Sequence, residues 1–169
     1  MDLQVNNTPT ALKTGTTAQF LTFIMNGEEY GLDILRVQEI RGYSTPTPIP
    51  HAPPYVRGVI NLRGAIVPIV DLRERLGMPS RPIEPTTVVI ILKVEAPDKA
   101  RTVGIVVDAV ADVHTISREC LKPTPDFGGE SDTNFACAIA TIEEKMIIIV
   151  DIDRTLSRRA LVPATALTE

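Results

Sequence analysis

Two stretches of this 169-residue chain carry the same pattern, and that repeat limits the fold more than any other feature. Gly31, Leu32, Ile34, Val37, Glu39 and Ile40 are matched by Gly104, Ile105, Val107, Val110, Asp112 and Val113, each pair 73 positions apart. Further on, Val70-Asp71-Leu72 is matched by Val150-Asp151-Ile152 at a separation of 80, which allows a longer loop in the second copy. Each copy holds about five short β-branched segments divided by Gly and Pro turns. An open sheet of that size leaves two edges exposed, and closing it into a small barrel removes them. The pattern predicts a mostly β protein of two small barrels packed side by side. Repeat order does not dictate spatial partition, so strand exchange between the copies stays open.

The clearest hairpin lies in RGVINLRGAIVPIVDLRERLG, Arg57 to Gly77. Val59 to Leu62 and Ala65 to Leu72 are two apolar runs around Arg63-Gly64, where Gly64 can take positive φ. Asp71 then caps a short helical turn, Leu72 to Leu76, that Gly77 and Pro79 stop. Before it, Gln19 to Met25 and Glu28 to Leu32 form a hairpin over Asn26-Gly27. Asp33 to Ile40 fits a helical stripe and a strand alternation alike, and the prolines from Pro46 to Pro54 exclude regular structure there. After the semi-rigid linker Met78 to Pro85, Thr87 to Val94 and Arg101 to Val107 pair around Pro97-Asp98-Lys99. Ala109 to Ile116 continues, Arg118 to Phe127 is a Pro-punctuated connection, and Ala136 to Ile142 with Lys145 to Ile152 make a last hairpin. A terminal helix is expected over Asp153 to Ala160. The organisation is thus an arm at 1–17, one domain at 18–157 whose copies are about 18–81 and 86–157, and a loose tail at 158–169.

Composition excludes several function classes. A net charge of −4 offers no dominant basic face for nucleic acid. No apolar run approaches the roughly 18 residues of a membrane span, and MDLQVNNTPTALKTGTT lacks the basic and apolar regions of a signal peptide. Cys120 and Cys137 are isolated, which fits a reduced cytosolic setting. His51 and His114 have no carboxylate or Cys at ligand spacing, and no nucleophile elbow or phosphate-cradle motif occurs. Asp71, Asp108 and Asp151 fit turn or cap roles. No catalytic activity, cofactor or metal is expected.

A few residues remain that a core does not need. Glu39, with Gln38 beside it, interrupts an apolar segment and fits a solvated strand face or a binding contact equally well. Arg63 tops the hairpin, where a lone arginine is usually solvated. Val37 and Val113 are explained by core packing. Phe127, in the Pro-rich PTPDF, fits an anchor, either into its own barrel or into a partner.

Three motifs in order, YGLDILRVQEIRGY (Tyr30 to Tyr43), VRGVINLRGAIVPIVDLR (Val56 to Arg73) and VGIVVDAVADV (Val103 to Val113), resemble the CheW family of chemotaxis coupling proteins. The resemblance runs from about Phe20 to Leu156. It implies paired SH3-like five-stranded β-barrels and no catalysis. It further implies a cytoplasmic adaptor that couples the tips of methyl-accepting chemoreceptors to the histidine kinase CheA, whose regulatory domain shares the fold, and that helps build signalling arrays. A receptor helix is expected in an apolar groove between the barrels. The family's receptor-contact positions fall on Val37, Glu39, Gly58, Arg63 and Val113, and its kinase-contact positions on Lys122 and Phe127. Lys122 stands where the family more often has arginine, so a point charge replaces a bidentate fork. His51 and the Pro46 to Pro54 loop also depart from the family pattern. A coupling protein of pili or surface motility is the alternative the resemblance leaves, and an unrelated small-molecule-binding barrel is a third.

Overall fold

The computed structural model of the chain describes residues 17–79, 81–95, 99–124 and 135–157. In the first copy the strands are β1 (Thr17–Met25), β2 (Glu28–Asp33), β3 (Val37–Gly42), β4 (Val56–Leu62) and β5 (Ala65–Asp71). In the second they are β6 (Val88–Val94), β7 (Arg101–Val107), β8 (Ala109–Ser117), β9 (Leu121–Pro123), β10 (Ala136–Ile142) and β11 (Lys145–Val150). One sheet has the order β8-β1-β2-β11-β10-β9 and the other β3-β6-β7-β5-β4. The hairpin that opens each copy therefore sits in one sheet, while the strands that follow it cross into the other. Parallel pairing of β2 with β11 and of β5 with β7 joins the copies inside each sheet.

Strand alternation explains why both barrels fill. Phe20 and Ala18 face the interior of the six-stranded sheet with Ile116, Ala140, Ile147 and Ile149. Leu21, Phe23 and Met25 turn the other way, onto a shared core that also holds Ile90, Leu92, Ile105 and Val107 of the other sheet. A third cluster, Leu62, Val67, Ile69, Val89, Ile91 and Val106, fills the five-stranded barrel. Gly31 and Gly104, the repeat's matched glycines, mark where isoleucines from the parallel neighbours enter. A Cβ on Gly104 would lie 2.7 Å from Ile69 Cδ1, and one on Gly31 would lie 3.0 Å from Ile149 Cδ1.

The ambiguous segment after Leu32 resolves into both of its readings. Asp33 accepts from Leu35 N at 3.0 Å and caps a single 3-10 turn, Ile34–Arg36, before β3 begins. The helices are α1 (Leu72–Arg75) and α2 (Ile152–Thr155), capped by Asp71 and Asp151 as their matched positions suggest. Two expectations need correction. The terminal helix does not run from Asp153 to Ala160. It starts at Ile152 and ends at Thr155, because Leu156 turns into the core with its carbonyl held by Arg101 and that of Thr155 by Arg75. The connection after Arg118 holds a 3-10 turn and β9, a strand of three residues too short to leave a period of two. The arm up to Thr16 and the tail from Arg158 lie outside the described residues.

Three hairpins turn on two residues that both have positive φ: Asn26-Gly27, Arg63-Gly64 and Glu143-Glu144. The last has no glycine, and each L-residue held in that region costs roughly 1 kcal/mol. Replacing Glu143-Glu144 by Asn-Gly should stabilise the protein by about 1 kcal/mol and raise the melting temperature by roughly 2–4 °C, read by calorimetry.

A second expectation comes from Glu29, whose side chain is only 5% exposed at the rim of the first barrel. Burial by itself raises its pKa, yet the hydrogen bonds from Lys145 and Thr22 and the Lys145 and His114 charges hold it below the ordinary value. His114 Nε2 stands 3.7 Å away. A depressed carboxylate contributes stability that is complete above the unfolded value, about pH 4.3, and is lost as pH falls through the folded one. Glu29→Gln should therefore lower the melting temperature at pH 7 and flatten its decline below about pH 4.5, measured across a pH series.

Candidate functional site

The residues that stand out in the sequence gather on β3, β8 and the β4–β5 hairpin. In an antiparallel pair, residues opposite one another share a face. Val37 and Ile40 oppose Leu92 and Ile90, both members of the shared core between the sheets. Val110 and Val113 oppose Phe23 and Leu21, members of the same core. A bulge lies between the members of each pair, which keeps both side chains on the inter-sheet face. The core thus runs outward along two crossing strands, until Ile40 is 43% and Val113 45% exposed. Val37 remains half-buried against the core. Matched apolar margins therefore flank the junction of the sheets.

Glu39 points to the other face of β3, opposite Ile91 of the second barrel's interior. There it meets Arg63: Arg63 Nη2 donates to Glu39 Oε1, while Arg41 Nη1 lies 4.0 Å from Glu39 Oε2. The expected lone, solvated arginine is thus paired, although its side chain stays 73% exposed and that of Glu39 28%. The cause is barrel closure. β3 and β4 are the two edges of the five-stranded sheet, and the chain after β3 folds onto β4 through Thr47 and Val59, which exchange two backbone hydrogen bonds of 2.9 Å. That brings the hairpin tip beside Glu39. Thr47 lies in the Pro-rich loop, where prolines exclude a ladder but leave room for one bridge, and no periodicity announced it.

Gly58, one of the receptor-contact positions the resemblance implies, is buried with φ +142°, and a Cβ there would fall 2.1 Å from the carbonyl oxygen of Thr47. Its own loop forbids the side chain. Lys122 is exposed on β9, an edge strand, opposite Ile139. Phe127 lies outside the described residues. His51 is exposed with φ 63° in the departing loop.

Nothing in this arrangement resembles an activated group. Burial pushes the Cys137 thiol up to about 12, with the Asp151 charge adding to it, so it stays protonated and inert. Among the described residues no three of His, Cys, Asp or Glu converge to hold a metal. Nor does any helix among them have the length and apolarity to cross a membrane.

Comparison with known proteins decides the family. The model of the CheW-like domain matches residues 19–160. The chain belongs to the CheW-like family. A chemotaxis protein CheW of Klebsiella aerogenes is 44% identical over 139 residues, covering 82% of this chain and 81% of that protein. One of Rhizobium meliloti is also 44% identical, over 80% of this chain and 84% of its own length. Among solved structures, the scaffolding protein TtCheW from Thermoanaerobacter tengcongensis superposes with a TM-score of 0.75 at 32% identity, covering 86% of this chain and 99% of that one. As a CheW-like protein the chain is a non-catalytic chemotaxis adaptor, and its SH3-like paired barrels are those of the family.

The glycines separate structural from binding constraints. Gly64, at φ +89° with open space around it, should cost about 1 kcal/mol on replacement by alanine. Gly58→Ala should cost more than about 2 kcal/mol, because backbone must move. Chemical denaturation of the two variants checks the order.

Proposed function

We propose that the chain couples the cytoplasmic tips of methyl-accepting chemoreceptors to the histidine kinase CheA and so helps build receptor arrays near the membrane. The carrying observation is the pair of apolar margins on β3 and β8, which flank the junction of the sheets. An amphipathic helix has an apolar stripe and charged flanks, and such a junction offers walls for the stripe. Val37 and Val113 supply apolar contact, with Ile40 joining them. Glu39 and Arg63 orient the helix from the rim, where charge steers and sets register more than it holds. Gly58 contributes by letting the Thr47 loop close beneath that rim. Lys122 and Phe127 are assigned to contact with the regulatory domain of the kinase, as the resemblance implies. The chemotaxis names of the relatives favour this pathway over one for pili or surface motility.

The test is Glu39→Lys. The exposed pair with Arg63 contributes at most about 1 kcal/mol, so the fold should persist by circular dichroism and thermal unfolding. Co-sedimentation with a receptor fragment should weaken about tenfold, while binding to the CheA regulatory domain stays unchanged. Phe127→Ala should do the reverse. A Glu39→Lys protein that unfolds, or that binds receptor as before, removes Glu39 from the interface.

A further inference from the structure

We infer that two ion pairs, Arg36–Asp153 and Arg73–Asp108, are positioning residues that hold β3 and β8 at the spacing the groove requires. The inference rests on the groove proposed above. Each pair sits where a strand leaves one sheet for the other. Arg36 is the last residue of the 3-10 turn and directly precedes β3; Asp108 directly precedes β8. Each partner lies on the helix that follows the parallel neighbour of the strand being left: Asp153 on α2 after β11, which pairs with β2, and Arg73 on α1 after β5, which pairs with β7.

The two sites correspond in detail. Arg36 grips Asp153 with two bonds of 2.8 and 2.7 Å, and its side chain is 13% exposed. Asp153 Oδ1 also accepts from Glu95 N at 2.8 Å, just past β6. Arg73, 4% exposed, donates through Nε and Nη2 to Asp108, and Asp108 Oδ2 accepts from Asn26 N at 2.9 Å, just past β1. Each carboxylate therefore fastens a crossover and a helix to the end of a strand in the opposite sheet. Charge-assisted bonds with this many partners fix geometry better than a surface pair can. Val37 follows Arg36 directly, and Val110 follows Asp108 by two residues, so any play at the junctions reaches both apolar margins.

The signs are sorted as well. Both cations come from the first copy and both anions from the second. Pairing a copy with its like would set arginine against arginine or aspartate against aspartate, so only unlike copies close. Reversing one pair in full should consequently recover part of what reversing one member loses, the bond from Glu95 N being lost in both.

The experiment uses the full chain with Arg36→Asp, Asp153→Arg, the double variant, and the milder Asp108→Asn for the more buried pair. Amide hydrogen exchange is read under conditions where circular dichroism shows a native fold. Arg36→Asp and Asp153→Arg should each speed exchange in β3 by about tenfold, Asp108→Asn should do so in β8, and β7 should change little. Binding of a receptor cytoplasmic fragment should weaken by roughly the same factor while that of the CheA regulatory domain holds. The double reversal should recover part of both relative to either single reversal. A uniform rise in exchange across both sheets, or no recovery in the double variant, overturns the positioning role. Exchange that behaves as expected with receptor affinity unchanged overturns the link to the groove. Glu39→Lys in the same assay then separates the two causes: if it weakens binding, the groove stands without the ion pairs, and if it does not, the groove itself is misassigned.

Discussion

The structure depends on strands that are buried on both faces. β1 sends Phe20 into its own barrel and Leu21, Phe23 and Met25 into the core between the sheets. β6 does the same with Val89 and Ile91 on one side and Ile90 and Leu92 on the other. Each such aliphatic or aromatic side chain contributes about 1.5–3 kcal/mol on burial, which exceeds what any exposed ion pair here supplies. Separating the sheets would expose the largest of the three clusters, so each barrel leans on the other. With Trp absent and aromatics at 4%, the work falls to β-branched aliphatics, whose stiff side chains suit a pleated surface.

Exchange of strands between the copies follows from the same constraint. After each opening hairpin the chain crosses to the other sheet, so β3 and β8 become edge strands that belong to one copy by sequence and to the other by pairing. An edge strand with apolar side chains is ordinarily a liability. In the groove proposed above that liability is put to use: the inter-sheet core continues along both edges and surfaces at Ile40 and Val113. Under that proposal, binding extends folding, using the same apolar contacts with a partner's helix in place of a neighbouring strand. No group needs an unusual reactivity for that purpose, which is consistent with an inert Cys137 and with carboxylates occupied by caps and ion pairs.

Much of this was legible in the residues because it rests on local rules. Asn26-Gly27 and Arg63-Gly64 announce tight turns, and both adopt the positive φ such turns require. Asp71 and Asp151 announce helix starts, and both accept the expected backbone bonds. The matched spacing of Glu39 and Ile40 with Asp112 and Val113 reflects matched bulges, which carry the same residues to the same face in each sheet. What went unread involves contacts distant along the chain. Gly58 is a contact position by resemblance, and only the fold lays the Thr47 carbonyl over it. The terminal helix looked longer because its stop is set by Arg75 and Arg101 capturing carbonyls from 80 and 55 residues away.

By itself the sequence determined most of the elements, the repeat and the family, because periodicity, turn chemistry and motif order act over a few residues at a time. Only the tertiary structure decided which copy supplies each strand, and with it the closure that joins Glu39 to Arg63 and the pairs Arg36–Asp153 and Arg73–Asp108. Two like repeats present nearly equivalent hydrophobic faces, so alternation cannot say whether a strand pairs within its copy or across. That choice rests on the summed burial of the shared core and on the unlike charges that meet at the two crossovers, neither of which is a property of any single segment.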